Sequence, residues 1–416
     1  MTGLPLAGAF QDAGLRVVGF ERDARRRRAV EEGDADLLGV PRERWFPSNG
    51  PRIDATADFA RAAECEALFL CLPTPLGSDG EPDLTAIEDA ARAVAPHLAA
   101  GALVVLCSTT WPGTTRQRLL PWLEDSGPRR LGEDLYVGYS PEREDPGSGR
   151  RTKDVPRLAS GLDAASATRT HALLARAIDT VVDVPTCETA EAAKLLENVF
   201  RAVNIALVNE AKQVLDALGV DVWPVVRAAA TKPYGFMSFE PGPGLGGHCI
   251  PVDPLYLTGI AKRAGRPSRL VELAAEINRA VPVDVADKLA SALEVRGSSI
   301  AGARVLVLGA AYKPGVSDTR ESPGLRIMEL LEARGARADH ADPLVPELCG
   351  DVPPTLAGRR AVVPSDAELA SYDAVVLAVR QPGVDLERVA RLAKLVVDTR
   401  DAFRDLGLDP ERLVRA

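Results

Sequence analysis

The chain has 416 residues, 46% of them hydrophobic and 26% charged, with a formal charge of −9. That composition excludes a disordered chain, a collagen and a disulfide-stapled miniature, and the length predicts about two to three domains. Net acidity, with no basic block beyond residues 25–28, speaks against nucleic-acid binding. No apolar run reaches the roughly 18 residues that span a bilayer, so no membrane association is expected. Residues 1–10 lack the basic and apolar regions of a secretory signal. Cys65, Cys71, Cys107, Cys187, Cys249 and Cys349 form no CxxC pair, so neither a zinc site nor a disulfide framework is indicated. A reducing cytoplasm is the expected location. Only eight lysines occur, against many arginines. Arginine cannot serve as a proton-transferring amine near neutral pH, so each lysine gains interest.

Residues 16–20, 67–72, 102–107 and 136–139 read as short buried strands, and residues 85–99 as an amphipathic helix between them. This alternation predicts a doubly wound parallel sheet over residues 1–188, with ligands at the carboxyl ends of its strands. Residues 189–218 contain no Gly or Pro and stop at Gly219. They predict one helix of roughly 45 Å, long enough for a spine or a dimer interface. A second helix is expected over residues 269–279, completing a central domain at residues 189–296. Residues 297–416 alternate again: strands at 303–309, 374–379 and 395–397, and a helix at 324–335. The fold class is α/β, with two Rossmann-like domains joined by a long central helix.

The richest segment is residues 241–257, PGPGLGGHCIPVDPLYL. Closely spaced glycines let backbone N–H groups approach a ligand, and Cys249 stands behind them. A lone cysteine is usually inert and buried, but this loop argues for a thiol facing a ligand. Asp253 follows four residues later. On the spine, Lys194, Asn198 and Arg201 share one face, with Glu197, Asn204 and Asn209 as further polar residues. A solvated face is the ordinary reading, yet asparagine is a poor helix former. Three loops follow predicted strands: CLPTP at 71–75, STT at 108–110 and SPER at 140–143. Together they describe a cofactor cleft. Residues 311–323, AYKPGVSDTRESP, place Lys313 and Arg320 in a polar loop suited to an anionic ligand.

With PTP, STTWPGT, SPERxDPG, AExxKLLENxFRAVNIALVNE, GPGxGGHCIPVDP and YKPxxxDTRESP in order, the chain resembles the UDP-glucose/GDP-mannose dehydrogenases, the nucleotide-sugar dehydrogenase family. Residues 231–258 look most like UDP-N-acetylhexosamine 6-dehydrogenases, with His248 and Val252 where UDP-glucose enzymes more often carry Ser or Thr and Lys. The resemblance implies NAD-dependent, four-electron oxidation of a UDP-sugar C6 alcohol to a carboxylate through a thiohemiacetal and a thioester. Cys249 would be the nucleophile, Lys194 and Asn198 would bind the C6 oxygen, and Asp253 would order a water. Glu142 would position the sugar and assist hydrolysis, and Thr109 would hold the water or the nicotinamide. Gly3, Glu21, Pro73, Thr74, Thr109 and Arg320 would meet NAD. Glu142, Lys194, Asn198, Phe239, Gly246, Lys313 and Arg400 would meet the UDP-sugar. A homodimer through the central helix is implied.

One departure concerns the opening. Of the family's Gly-x-Gly-x-x-Gly turn only Gly3 is found, so the first strand of the first domain is expected to be missing. Either the sequence begins downstream of its true start, or the chain is truncated and binds NAD poorly. The second case would make it a non-catalytic nucleotide-sugar binder. UDP-glucose is the alternative substrate.

Overall fold

The computed structural model describes residues 3–35, 42, 45, 53–77, 82–145, 149–247 and 250–416. They divide into two compact units, Met1–Glu197 with Gly259–Gly265, and Asn198–Thr258 with Arg266–Ala416. The two-unit division cuts within the long helix Cys187–Ala217.

In the first unit the helix Gly3–Asp12 leads into β1 (Val18–Phe20), which pairs in parallel with β2 (Asp54–Thr56). A separate sheet has the order β3-β4-β5-β6-β7, comprising Ala67–Leu70, Ala102–Leu106, Leu135–Tyr139, Arg157–Gly161 and Val181–Asp183. All five residues of β4 are buried, as a central strand covered on both faces requires. Leu103, Val105 and Cys107 pack with Leu6 and Phe10 of the first helix. Val104 and Leu106 point the other way, into a cluster with Ile87, Ala91 and Val94 of the helix Thr85–Val94.

This sheet corrects the all-parallel expectation, because β6 runs antiparallel to β5. Among its described residues the connection between them, residues 140–156, holds no crossover helix of the kind a parallel return needs. β6 ends tightly at Gly161, where an added Cβ would lie 2.1 Å from the Ala167 nitrogen of the following helix, Ala164–Leu174. Gly161→Ala is therefore expected to destabilise the chain by about 1–3 kcal/mol or more. A urea midpoint equal to the parent's would contradict this packing.

The second unit holds an all-parallel sheet of order β12-β11-β10-β8-β9. Its strands are β8 (Arg304–Leu308), β9 (Arg337–Ala341), β10 (Ala374–Leu377), β11 (Val396–Asp398) and β12 (Leu413–Arg415). Ser322 caps the helix Pro323–Ala333 by accepting from the Leu325 nitrogen, and proline occupies its first turn.

The helix expected at 269–279 instead runs Arg269–Val295 through Pro282. An interior proline costs about 3 kcal/mol, because it removes one bond and crowds the preceding turn. Val285, Ala286, Leu289 and Leu293 beyond it are buried against the second sheet's core, and that burial outweighs the cost.

Candidate active site

In the first unit the loops after β3, β4 and β5 are laced together. Ser108 Oγ donates to the Leu72 carbonyl at 2.7 Å and accepts from the Leu72 nitrogen at 3.0 Å. Thr74 Oγ1 donates to the Thr109 carbonyl at 3.0 Å, and Tyr139 Oη to the Ser108 carbonyl at 3.2 Å. Thr74 is buried, Thr109 half-buried and Pro73 exposed. Gly3 opens its helix against the end of β3: an added Cβ would sit 3.3 Å from Cys71 Cβ. This is the close helix–strand approach that a dinucleotide turn requires. Glu21 lies just after β1 and accepts from the Asp23 nitrogen at 3.0 Å and from Arg26 Nε at 3.1 Å. A carboxylate has about four acceptor positions, so capacity for a ribose diol is left.

Glu142 is nearly buried, and its carboxylate is held from several sides. Oε1 accepts from the Arg143 and Glu144 nitrogens at 2.9 and 3.0 Å, and Oε2 pairs with Arg157 Nη2. Arg157 is 1% exposed. Burial disfavours its charge, and the Glu142 carboxylate together with Cys107 and Cys71 more than offsets that effect. The sequence reading missed Arg157; its position on the antiparallel β6, opposite the loop after β5, depends on the strand direction. A hydrogen bond donated to Cys71, together with burial, holds the neighbouring Cys107 thiol well above its ordinary value.

On the long helix the expected polar stripe separates. Lys194 and Asn198 are buried, whereas Arg201 is exposed. Glu197 pairs with Arg143 at 2.7 Å. A second missed residue, Glu191, is fully buried one turn before Lys194.

In the second unit Asn198 Nδ2 donates to Asp253 Oδ2 at 2.5 Å, and Asp253 is 1% exposed. Cys249 and His248 lie outside the described residues. Asn209 holds the glycine segment: its Oδ1 accepts from the Gly242 nitrogen at 3.0 Å, and its Nδ2 donates to Asn278 at 3.3 Å. That accounts for an asparagine inside an apolar helix. Gly246 is required where it stands, because an added Cβ would meet Tyr312 Cβ at 2.6 Å and the Glu321 carbonyl at 2.8 Å. The Gly247 nitrogen donates to the Arg320 carbonyl at 2.9 Å. Gly246 and Gly247 and the loop after β8 are thus brought together.

Arg320 forks onto Asp318, with Nε to Oδ1 at 3.0 Å and Nη2 to Oδ2 at 2.6 Å. Lys313 Nζ lies 5.6 Å from the Tyr312 ring centre. Arg400 donates from Nε to the Ala378 carbonyl at 3.1 Å, and burial lowers its pKa while Glu240 opposes the shift. Phe239 meets Phe200 edge-on at 5.8 Å. Two further residues escaped the sequence reading. Asp342 accepts from the Ala310 and Ala311 nitrogens at 2.8 and 3.0 Å, and Gln381 accepts from Gly315 at 2.9 Å. Both follow strand ends, the one signal that could have marked them. Among the described residues no His/Cys/Asp/Glu group suits a metal, and no helix is long and apolar enough to cross a membrane.

Two α/β sheets with glycine-tight, polar loops at their strand ends define a nucleotide-dependent enzyme. Family models for the NAD-binding, central and UDP-binding domains of UDP-glucose/GDP-mannose dehydrogenases match residues 1–161, 188–280 and 306–405. The chain belongs to this family, and is an oxidoreductase using NAD on a UDP-sugar. It is 31% identical over 379 residues to a Salmonella typhi UDP-N-acetyl-D-glucosamine 6-dehydrogenase, covering 91% of this chain and 87% of the relative. A structure of UDP-D-ManNAc dehydrogenase from Pyrococcus horikoshii aligns with TM-score 0.82 and 30% identity, over 98% and 94% of the two chains. A Pyrobaculum islandicum UDP-glucose dehydrogenase structure aligns with TM-score 0.80 and 28% identity, over 96% and 91%.

Proposed function

We propose that the chain is a UDP-N-acetylhexosamine 6-dehydrogenase, with UDP-N-acetylglucosamine as its leading substrate. The relatives named for N-acetylated sugars support this, as does the sequence around Cys249. The reaction converts one C6 alcohol, one water and two NAD⁺ into one carboxylate, two NADH and three protons. NAD would be held by Gly3, Glu21, Pro73, Thr74, Thr109 and Arg320, and supplies a hydride acceptor for the C6 carbon. The close Gly3–Cys71 approach and the open acceptor positions of Glu21 fit that role.

Cys249 attacks the C6 aldehyde to give a thiohemiacetal, whose oxidation leaves a thioester. A covalent link retains a reactive aldehyde. Lys194 and Asn198 hold the C6 oxygen while its charge changes. Asp253 accepts a hydrogen bond from Asn198 and orders the hydrolytic water; this buried pair is the observation that carries the reading. Glu142, fixed by two backbone amides and Arg157, positions the sugar and assists hydrolysis. Phe239, Gly246, Lys313 and Arg400 contact the UDP-sugar.

The protein acts as a cytoplasmic homodimer. Phe200, Leu207 and Val214 recur at heptad spacing on the long helix, with Leu218 just beyond its end, and are 45%, 59%, 57% and 71% exposed. Leu270 and Leu273 on the helix Arg269–Val295 are exposed as well, and such exposed apolar residues suit contact with a second copy.

The deciding experiment measures NADH formation with UDP-GlcNAc, UDP-ManNAc, UDP-GalNAc and UDP-glucose, using this chain and one extended upstream. The expected result is kcat/KM at least about tenfold higher for an N-acetylated sugar than for UDP-glucose. Preference for UDP-glucose would instead establish the reading that the Pyrobaculum likeness favours. UDP-sugar binding without NADH formation in either chain would leave only a nucleotide-sugar binder.

A further inference from the structure

We propose that Glu191 is a positioning residue, which fastens the turn after β4 to the helix carrying Lys194 and aligns the turn through its charged carboxylate. Its Oε2 accepts from the Gly113 nitrogen at 2.6 Å. Its Oε1 accepts from the Thr115 nitrogen at 2.8 Å and from Thr115 Oγ1 at 2.7 Å. These three bonds come from a segment 76 to 78 residues away, and the carboxylate is fully buried. All three partners donate, so the group must accept at both oxygens. An amide sets its NH2 against one of the two backbone N–H donors, and a protonated carboxyl keeps both only if the Thr115 hydroxyl turns from donor to acceptor, which changes the turn's own bonding.

The turn is stiff enough to transmit that constraint. Thr114 Oγ1 donates to the Trp111 carbonyl at 2.7 Å, and Gly113 sits at φ +98°, where a side chain would be strained. Thr109 lies just upstream, fastened to Thr74. Lys194 lies three residues along the helix from Glu191, on the same face. The clamp therefore links the turn that presents Thr109 to the helix that presents Lys194. This inference rests on the proposed roles of those two residues.

The surroundings make the charge conditional. Burial pushes the Glu191 carboxyl up to about 7; the Thr115 and Gly113 bonds oppose the shift, and Glu188 adds to it. The titratable groups that act on it are Glu188 and Cys187 from its own helix, and Arg116 beyond the turn pairs with Glu188 at 2.9 Å. The folded value lies above the ordinary Glu value of 4.5. The folded chain therefore holds a proton between about pH 4.5 and 7 that the unfolded chain lacks, and stability rises as pH falls through that window. Protonation thus favours folding while it misaligns the turn. Charge is kept here for function at some expense of stability.

Glu191→Gln is the permanent mimic of the neutral form. With the full chain and UDP-GlcNAc, its kcat should be about tenfold below the parent's at about pH 8.5 and within about twofold at about pH 6. KM values should stay within about threefold. Its melting temperature at about pH 8.5 should be no lower than the parent's, because no charge is buried. Thr115→Val, which deletes one hydroxyl donor, should lose less activity than Glu191→Gln.

A parent-to-variant ratio that is constant with pH would overturn the proposal, as would a loss of kcat matched by a loss of stability. Trp111 emission, isolated by difference from Trp111→Phe, gives a readout independent of turnover. It should titrate near pH 7 in the parent and not in Glu191→Gln. If the parent oxidised no UDP-sugar, the functional reading would fail, and this titration would still decide the clamp: its presence upholds it, its absence ends it.

Discussion

Cys249→Ser is expected to lower uronate formation by at least about 10³-fold while UDP-sugar affinity changes by less than about threefold. The first oxidation makes an aldehyde and needs no nucleophile from the chain. The second, in the proposed mechanism, uses a covalent adduct that is oxidised and then hydrolysed. A thiol has a far lower pKa than a hydroxyl, so it attacks more readily and leaves more readily from the acyl carbon. Serine should therefore form its adduct poorly and release any ester slowly. The check is the ratio of NADH to acid in rapid-quench samples. Parent protein should give two NADH per acid, and the variant NADH with aldehyde but almost no acid. Acid released at the parental rate would remove Cys249 from the mechanism. The glycine segment should be undisturbed, because Gly242, Gly246 and Gly247 are held by Asn209, Tyr312 and the Arg320 carbonyl.

Arg157→Met should destabilise the first unit by about 3–5 kcal/mol, because it leaves the Glu142 carboxylate buried without its cation. The pair lies between β6 and the loop after β5, with Arg157 1% and Glu142 9% exposed. Removing both charges should recover most of that loss, since an apolar pair of similar volume escapes the desolvation of two ions. Arg157→Met combined with Glu142→Leu is thus expected to unfold in urea near the parental midpoint while losing activity. A single variant as stable as the parent would show that solvent or another group satisfies Glu142. A double variant no better than the single would show that packing, not charge, holds this corner.

The candidate site was legible where chemistry demands residue types in a fixed order. The glycine segment, the strand-end loops and the Lys194–Asn198 face could all be read directly as candidates, and Lys194, Asn198 and Asp253 are buried in the structure. Arg157, Glu191, Asp342 and Gln381 were not legible. Each acts on a partner far along the chain, and its type is unremarkable until the topology supplies that partner. Glu191 looks like one more acidic residue near a helix start; only the folded turn at Gly113 and Thr115 turns it into a clamp.

The sequence by itself determined the α/β class, the long uninterrupted helix, the family and its NAD chemistry. These follow from hydrophobic periodicity, the absence of helix breakers and local motifs, all properties of neighbouring residues. Only the tertiary structure decided that β6 runs antiparallel, that the helix Arg269–Val295 continues through Pro282, and which buried charges face each other. Strand direction depends on how the connection packs. The proline is tolerated because its helix is held by the core beyond it. Ion pairs form across separations in sequence that no local pattern encodes.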